Sequence, residues 1–349
     1  MATISQIRGM LLEEAVLYLL RVSGFETIEQ QGSDPTVERG PAGLVVKGRG
    51  GQHQIDAIAD YVVVQPFSYP QRLLVEAKCH TSNPNVGIEV VRNAVGVLKD
   101  VGEYWTSSDR LPLQTRYHYL YALFSAYGFT SPAEQYAFAQ DIYLMPLAAS
   151  PFMQPVVGAI THLKHTHFGA TAWNSVEIDM TAFRETVRDC LEDESSHPLD
   201  LAVADEARSM LQEFCGRCRV INGALLGMIA KRFPIFLVPA PSINLRNLRP
   251  VYQVRIYWDK EGWYLQSRRD DSFLFSFDLP RDLFNLYADA DGTLSPGRAL
   301  DLKAEYLREI QATAVVNRRI RVVRFQLDQE WLHDVRQGFE ERTRVEGQG

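Results

Sequence analysis

The sequence predicts a mixed α/β domain followed by an α+β module of different character. Three observations lead there. Through residue 147, short apolar extended runs alternate with segments of helical period, the pattern of a sheet covered on both faces. From Phe233 onward the pattern turns extended, with turn signals between the runs. At 349 residues the chain has room for two domains. The expected division is 1–148 and 149–349.

The first domain opens with a helix over Ile7 to Ser23, where Leu12, Val16, Leu19 and Leu20 recur at helical spacing and Gly24 is a stop. Phe25 to Gln30 reads as short and extended. Residues 31–43 carry Gly, Pro, Ser and Asp and read as a loop. Strands are expected at Leu44 to Lys47 and Gln54 to Ala59, around the turn Gly48-Arg49-Gly50-Gly51. Tyr61 to Val64 continues the second or adds a strand, and Pro66 to Pro70 break the chain. Leu73 to Ala77 is an apolar, buried strand. Pro84 to Val86 open a helix over Gly87 to Val101, with Ile88, Val91, Val95 and Leu98 on one face. A strand at Tyr117 to Ser125, a helix at Ser131 to Ala139 and a strand at Ile142 to Leu147 complete the domain.

The second half predicts helices at Ser150 to Leu163, Asp179 to Cys190 and Ala202 to Met228, with a polar loop over Glu192 to Pro198. Strands follow at Ile235 to Val238, Val251 to Trp258, Trp263 to Ser267 and Phe273 to Phe277. Asp259-Lys260-Glu261-Gly262 is a hairpin turn signal. A helix at Leu302 to Ala314, a strand at Ile320 to Leu327 and a frayed tail after Arg342 end the chain.

Composition is that of a globular protein, with 46% hydrophobic and 23% charged residues. No apolar run approaches the roughly 18–20 residues of a membrane span, so no membrane partner is expected. The opening MATISQIRGMLLEEAV has early glutamates and no basic segment, unlike a secretory signal. Four cysteines suit a reducing compartment, and a cytoplasmic location is expected. The net charge of −7 argues against a surface coated with phosphate-binding lysines, but it leaves room for a local basic groove.

Chemistry concentrates between Gly48 and Lys78. Asp56 ends the segment GRGGQHQID, and Glu76 and Lys78 stand at i and i+2 near the end of the strand LLVEAKC. Strand side chains alternate faces, so Glu76 and Lys78 point the same way. Two carboxylates and an ammonium beside a core need a reason, and a divalent metal supplies one. Mg²⁺ or Mn²⁺ takes hard oxygen ligands, and Mg²⁺ keeps several waters. Asp56, Glu76 and the Ala77 backbone carbonyl are the candidate ligands, with Lys78 left to orient a water or to neutralise a scissile phosphate. The competing reading is a surface Asp and an unrelated Glu–Lys pair, since E-x-K is common by chance.

Four segments in order resemble the PD-(D/E)xK nucleases, in particular the Mrr-like restriction endonucleases. LEEAVLYLLRVSGF is similar to the family's opening helix, which places its helix glutamate on Glu13. GRGGQHQIDAIA resembles the Gly-rich hairpin ending in the metal-binding aspartate, here Asp56. LLVEAKC matches the (D/E)xK strand, with Glu76 and Lys78. YALFSAYGFTSPAEQYA resembles the later strand, turn and Ala-rich helix. Ile55 stands where the family name expects a proline. The resemblance covers residues 7–147. It implies a restriction-endonuclease-like mixed sheet flanked by helices, and a metal-dependent endonuclease acting on DNA in restriction or anti-phage defence. Asp56, Glu76, Lys78 and Glu13 are then its catalytic set.

Further candidates for substrate contact are His80, two residues past Lys78, Arg92 on the following helix and Ser125 at the end of the later strand. Each has an ordinary structural reading beside it. Cys215-Gly216-Arg217-Cys218 is a C-x-x-C, for which His162, His165, His167 or Cys190 would have to complete a zinc site. Buried core cysteines are the favoured reading. The basic run Asn317 to Arg324, joined by Arg246, Arg249, Arg268 and Arg269, is either a solvated strand face or a phosphate-contacting surface. Tyr252, Tyr257, Trp258, Trp263 and Tyr264 are bases' stacking partners or, more often, sheet core. The second module is expected to serve recognition, regulation or assembly. The rival functions are an effector subunit activated by a partner protein of a defence complex, and a nonenzymatic DNA- or protein-binding module on a relic nuclease fold. Two cuts need two sites, so a homo-oligomer fits the first reading.

Overall fold

The computed structural model describes all residues except 1, 29–33, 41–42, 64–65, 81–84, 105–115, 170–174, 193–202, 222–224, 260–261, 317–318 and 347–349. Pro84, Lys260, Glu261, Asn317, Arg318 and most of the polar loop at 192–198 therefore lie outside the described residues. The chain is mixed α/β with several sheets, and it divides into two compact units, Met1–Asn222 and Gly223–Gly349. No helix among the described residues is long and apolar enough to cross a membrane.

In the first unit β1 (Ala2–Thr3) leads into α1 (Ile4–Val22). Thr3 and Gln6 form a capping box that satisfies the first free N–H groups. Gly24, at φ 96°, takes the left-handed turn that ends the helix. Next come β2 (Phe25–Ile28), β3 (Val37–Gly40), β4 (Gly43–Lys47), β5 (Gln52–Gln54), β6 (Ala57–Tyr61), β7 (Gln71–Lys78) and β8 (Asn85–Val86). They are followed by α2 (Ile88–Gly102), β9 (His118–Ser125), β10 (Gly128–Phe129), α3 (Ser131–Ala139) and β11 (Tyr143–Pro146). The central sheet has the order β11-β9-β7-β6-β2. Its β11, β9 and β7 pair in parallel, and β6 pairs antiparallel with both β7 and β2. The strands β3-β4-β5 form a separate antiparallel sheet that β3 enters from a stretch expected to be loop.

The unit continues past the expected boundary at residue 148 through α4 (Gln154–His162), β12 (Ser175–Val176), α5 (Met180–Glu192) and α6 (Asp205–Val220). The reason lies in α1. Leu11, Leu12, Ala15, Val16, Leu19 and Leu20 are all within 2% of complete burial, so this helix is apolar on more than one side. One side packs on β2, β6 and β7, and α4 and α5 cover another. The N-terminal strand β1 pairs with β12, which ties the added segment to the start of the chain.

The second unit holds β13 (Leu225–Ile229), β14 (Phe233–Pro239), β15 (Val251–Asp259), β16 (Gly262–Ser267), β17 (Asp270–Phe277), α7 (Arg281–Tyr287), α8 (Pro296–Glu305), β18 (Glu309–Val316), β19 (Arg319–Leu327) and α9 (Gln329–Glu346). Seven strands close into a barrel in the order β13-β14-β17-β16-β15-β19-β18. Every pairing is antiparallel except β15 with β19. Leu237, Val254, Ile256, Leu265, Phe275 and Phe325 fill the interior. Three expectations change here. The helix predicted to run to Met228 stops at Val220, and Leu225–Ile229 becomes a barrel strand. The helix predicted for Leu302 to Ala314 covers Pro296–Glu305, and Glu309–Val316 is the strand β18. The tail after Arg342 is helical through Glu346. In the first two cases apolar residues recur beyond the end of the helix, so periodicity alone does not mark the switch.

A candidate metal and phosphate site at the open end of the β6–β7 ladder

The alternation of β7 sets the site. Leu74 packs with Val91 and Ala94 of α2, so Glu76 and Lys78, two and four residues on, share that face. The ladder between β6 and β7 ends at the pair Ala57–Val75. One step further, the register brings Asp56 opposite Glu76. There the strands part. The Ala77 N–H donates to Asp56 Oδ2 at 2.8 Å instead of to a strand carbonyl. A strand residue presents its N–H and C=O to the same side, so the Ala77 carbonyl is directed to the same opening. The neighbouring Lys78 carbonyl points the other way and accepts from Ala126 N at 2.9 Å.

The Gly-rich turn positions Asp56 from the other side. Gly48 N donates to Gly51 O at 2.7 Å, and the Asp100 carboxylate of α2 accepts from Gly50 N at 2.7 Å and Gly51 N at 3.2 Å. His53 Nε2 lies 2.8 Å from the same carboxylate. A Cβ on Gly48 would stand 1.9 Å from Asp100 Oδ2, so this close approach requires glycine. Asp100 thus pins the turn to α2, three residues upstream of Asp56 through His53.

Glu76 is held by Lys78 Nζ at 2.5 Å from Oε1 and by the Tyr121 hydroxyl, which donates to Oε2 at 3.1 Å. Glu13, on α1, accepts from Arg184 Nη2 of α5 at 2.6 Å. Burial pushes Glu13 up to about 7, Arg184 pulls it back, and the charge of Asp56 adds to the rise. Burial also raises Asp56 above the usual carboxylate range, opposed by the Ala77 N–H and by Lys78, with Glu76 adding to the rise and Arg184 opposing it. Glu13, Asp56, Glu76, Lys78 and Arg184 therefore act on one another as one electrostatic cluster, in which three carboxylates face two cations.

The adjacent Glu14 plays another part. It is fully buried and bound bidentately by Arg188, at 2.6 Å and 2.9 Å, with Arg184 at 3.4 Å. Glu13, by contrast, feels the charge of Asp56. Sequence reasoning missed Arg184, Arg188 and Tyr121. The i, i+4 arginines of RETVR were a signal, because such a pair on one helix face matches the adjacent glutamates of α1.

The remaining candidates have surroundings of their own. His80 is exposed beyond the end of β7. Arg92 is exposed and lies over the Tyr136 ring at 5.8 Å. Ser125 pairs in register with Lys78 but is fully buried, its hydroxyl accepting from Tyr127 N at 3.3 Å. Cys215 and Cys218 are buried in α6 near Cys190 of α5, and none of the four cysteines is in a disulfide. His162 turns to the Gly158 carbonyl and His167 to Glu206, so neither joins the cysteines.

Among the described residues no group of three or more His, Cys, Asp or Glu side chains is arranged to hold a metal ion. The Asp56 cluster offers fewer side chains but a fitting chemistry: two carboxylates, a backbone carbonyl and an excess of negative charge at a half-buried spot. Mg²⁺ binds through one or two carboxylates and keeps its waters, which suits this donor set.

No family model matches the chain, and no curated protein matches it. Among solved structures it is similar to the "Crystal Structure of Protein of Unknown Function AF1548", at 18% identity and a TM-score of 0.34, over 61% of this chain and 98% of that one. A likeness so slight carries no inference about this chain.

Proposed function

We propose that the first unit is a Mg²⁺- or Mn²⁺-dependent endonuclease of the Mrr-like PD-(D/E)xK type, hydrolysing DNA phosphodiester bonds inside the cell as part of restriction or anti-phage defence. The observation that carries this reading is the parting of β6 and β7, which gathers Asp56, Glu76, Lys78 and the Ala77 backbone at one opening. That opening lies in a mixed sheet with helices packed against it, as a restriction-endonuclease-like fold requires.

Asp56 and Glu76 would hold the metal, with the Ala77 carbonyl as a third oxygen. When bound, the ion supplies a water of lowered pKa and neutralises charge developing on the phosphate. The protein's own groups do the rest. Asp56 is oriented by the Ala77 N–H and Glu76 by Tyr121. Lys78 lies against Glu76, where its ammonium would orient the attacking water or face the phosphate. Arg184 fixes Glu13 within electrostatic reach of Asp56, where its carboxylate would accept a hydrogen bond from a water held at the site.

The test is Mg²⁺-dependent cleavage of plasmid, linear, methylated and single-stranded DNA by wild type and Lys78→Ala. The expected result is a loss of about 100-fold or more in the variant, with its melting temperature unchanged. Equal cleavage by both proteins would remove Lys78, and the site assignment, from the mechanism. Binding of DNA with no cleavage by wild type would favour the nonenzymatic reading.

A further inference from the structure

We propose that the barrel of the second unit carries a binding site for a nucleoside phosphate, in a cleft of about 770 Å³ at one end of the barrel. The proposal is independent of the nuclease reading. The cleft lies between the loop at 242–249 and the turn joining β16 to β17, with Arg249, Arg269, Asn247, Tyr252 and Phe273 among its walls.

Its walls are built before any ligand arrives. Arg321 on β19 reaches the Arg246 and Leu248 carbonyls at 3.2 Å and 3.3 Å, tying the loop to the barrel. Ser242 Oγ donates to the Ser272 carbonyl at 3.2 Å, which joins the loop to β17. The Arg249 N–H donates to Tyr252 Oη at 2.9 Å. Asn244 accepts from Arg246 N at 3.0 Å within the loop.

Charge on this frame is uneven. Arg268 is neutralised by Asp328 at 3.3 Å and Glu330 at 3.1 Å. Arg249 and Arg269, which line the cleft, have no carboxylate partner among the described residues. The acid of the lining is Asp270, whose Oδ1 is already taken by the Ser272 N–H at 3.0 Å and hydroxyl at 2.6 Å. Two unpaired guanidinium groups beside one cleft favour an anion, and their fork geometry suits phosphate oxygens.

The volume is too great for phosphate alone and lies within the range of small-molecule pockets. Tyr252 and Phe273, stacked on each other with ring centroids 4.1 Å apart, give the cleft an aromatic wall for a base to pack against. The Asn247 amide offers both a donor and an acceptor for the polar edge of that base. A nucleoside phosphate unites these features, whether it is a free nucleotide or one residue of a nucleic-acid strand.

The experiment measures fluorescence polarisation with two probes, a fluorescent ATP and a fluorescent short oligothymidylate, in metal-free buffer. The full chain carries Lys78→Ala, so that no cleavage intervenes and a failure of the nuclease reading leaves this assay untouched. Binding of either probe that weakens about tenfold or more in Arg249→Ala/Arg269→Ala, with an unchanged thermal melt, supports the site. Arg269→Glu alone serves as a second variant and should weaken binding in the same direction. Saturation by ATP identifies a nucleotide as the ligand, whereas saturation by the oligomer alone identifies a strand. Three results overturn the proposal. They are no binding of either probe at millimolar protein, equal binding by the arginine variants, and displacement of the probe by inorganic tripolyphosphate as effective as by unlabelled ATP.

Discussion

Lys303 lies inside the second unit, 8% exposed, with no carboxylate paired to it among the described residues. Burial lowers it from 10.5 to about 8. A lysine depressed in the folded state binds fewer protons there than in the unfolded chain. Folding therefore carries a penalty that is full below about pH 8 and fades as pH rises from about 8 to about 10.5. A shift of this size corresponds to about 3 kcal/mol at neutral pH. The Trp263 and Trp331 rings, 5.8 Å and 5.5 Å from Nζ, return about 1 kcal/mol by cation–π attraction. Lys303→Met keeps the stem's packing and removes the charge. It is expected to stabilise the unit by about 1–2 kcal/mol at pH 7, a rise of about 5 °C in its melting temperature. The gain should shrink toward zero as pH approaches 10.5. Urea unfolding followed by tryptophan fluorescence, repeated from pH 7 to pH 10, measures both effects. A destabilised variant at pH 7, or a gain independent of pH, would refute the reasoning.

Arg72 is 1% exposed and paired with Asp60 at 2.6 Å and Asp34 at 2.6 Å, with Tyr117 stacked at 3.6 Å. Its replacement by alanine strands two carboxylates, and denaturant unfolding should show a loss of about 3–5 kcal/mol. Gly48→Ala drives a Cβ into Asp100 and should cost about 1–3 kcal/mol by the same assay. Because the clash and the clasp share Asp100, Gly48→Ala added to Asp100→Ala should cost clearly less than Gly48→Ala alone. All four cysteines are buried, and burial pushes the Cys79 thiol up to about 11 and Cys215 up to about 12. A thiol reagent at pH 8 should leave them unmodified in the native protein and label all four after denaturation.

The strand LLVEAKC and the turn GRGG were legible because their signals are local: alternation on one side, a glycine run on the other. The helix α1 is legible by period, but its second apolar side carries no local mark of which segments cover it. The first unit therefore runs to Asn222, past the expected boundary at residue 148. Arg184 and Tyr121 could not be placed on Glu13 and Glu76 from sequence, since each meets its partner through packing between distant segments. The run EIQATAVV carries Ala and Gln, which suit a helix, and only pairing with β13 and β19 decides that it is a strand. The position of Ser125 at a strand end is legible in the sequence, whereas the burial of its hydroxyl depends on tertiary packing.

The parallel seam between β15 and β19 has a consequence for how the second unit forms. Its two strands are joined by ladder partners 73 residues apart, as at Gln253 and Gln326. The hairpins β15–β16–β17 and β18–β19 can zip locally, but the barrel has no closed interior until β19 is in place. Closure therefore carries the main loop entropy of the unit, and it is the step expected to limit the folding rate. During synthesis the half-made sheet exposes two strand edges until residues 319–327 emerge, the interval in which this chain is most open to pairing with another copy of itself.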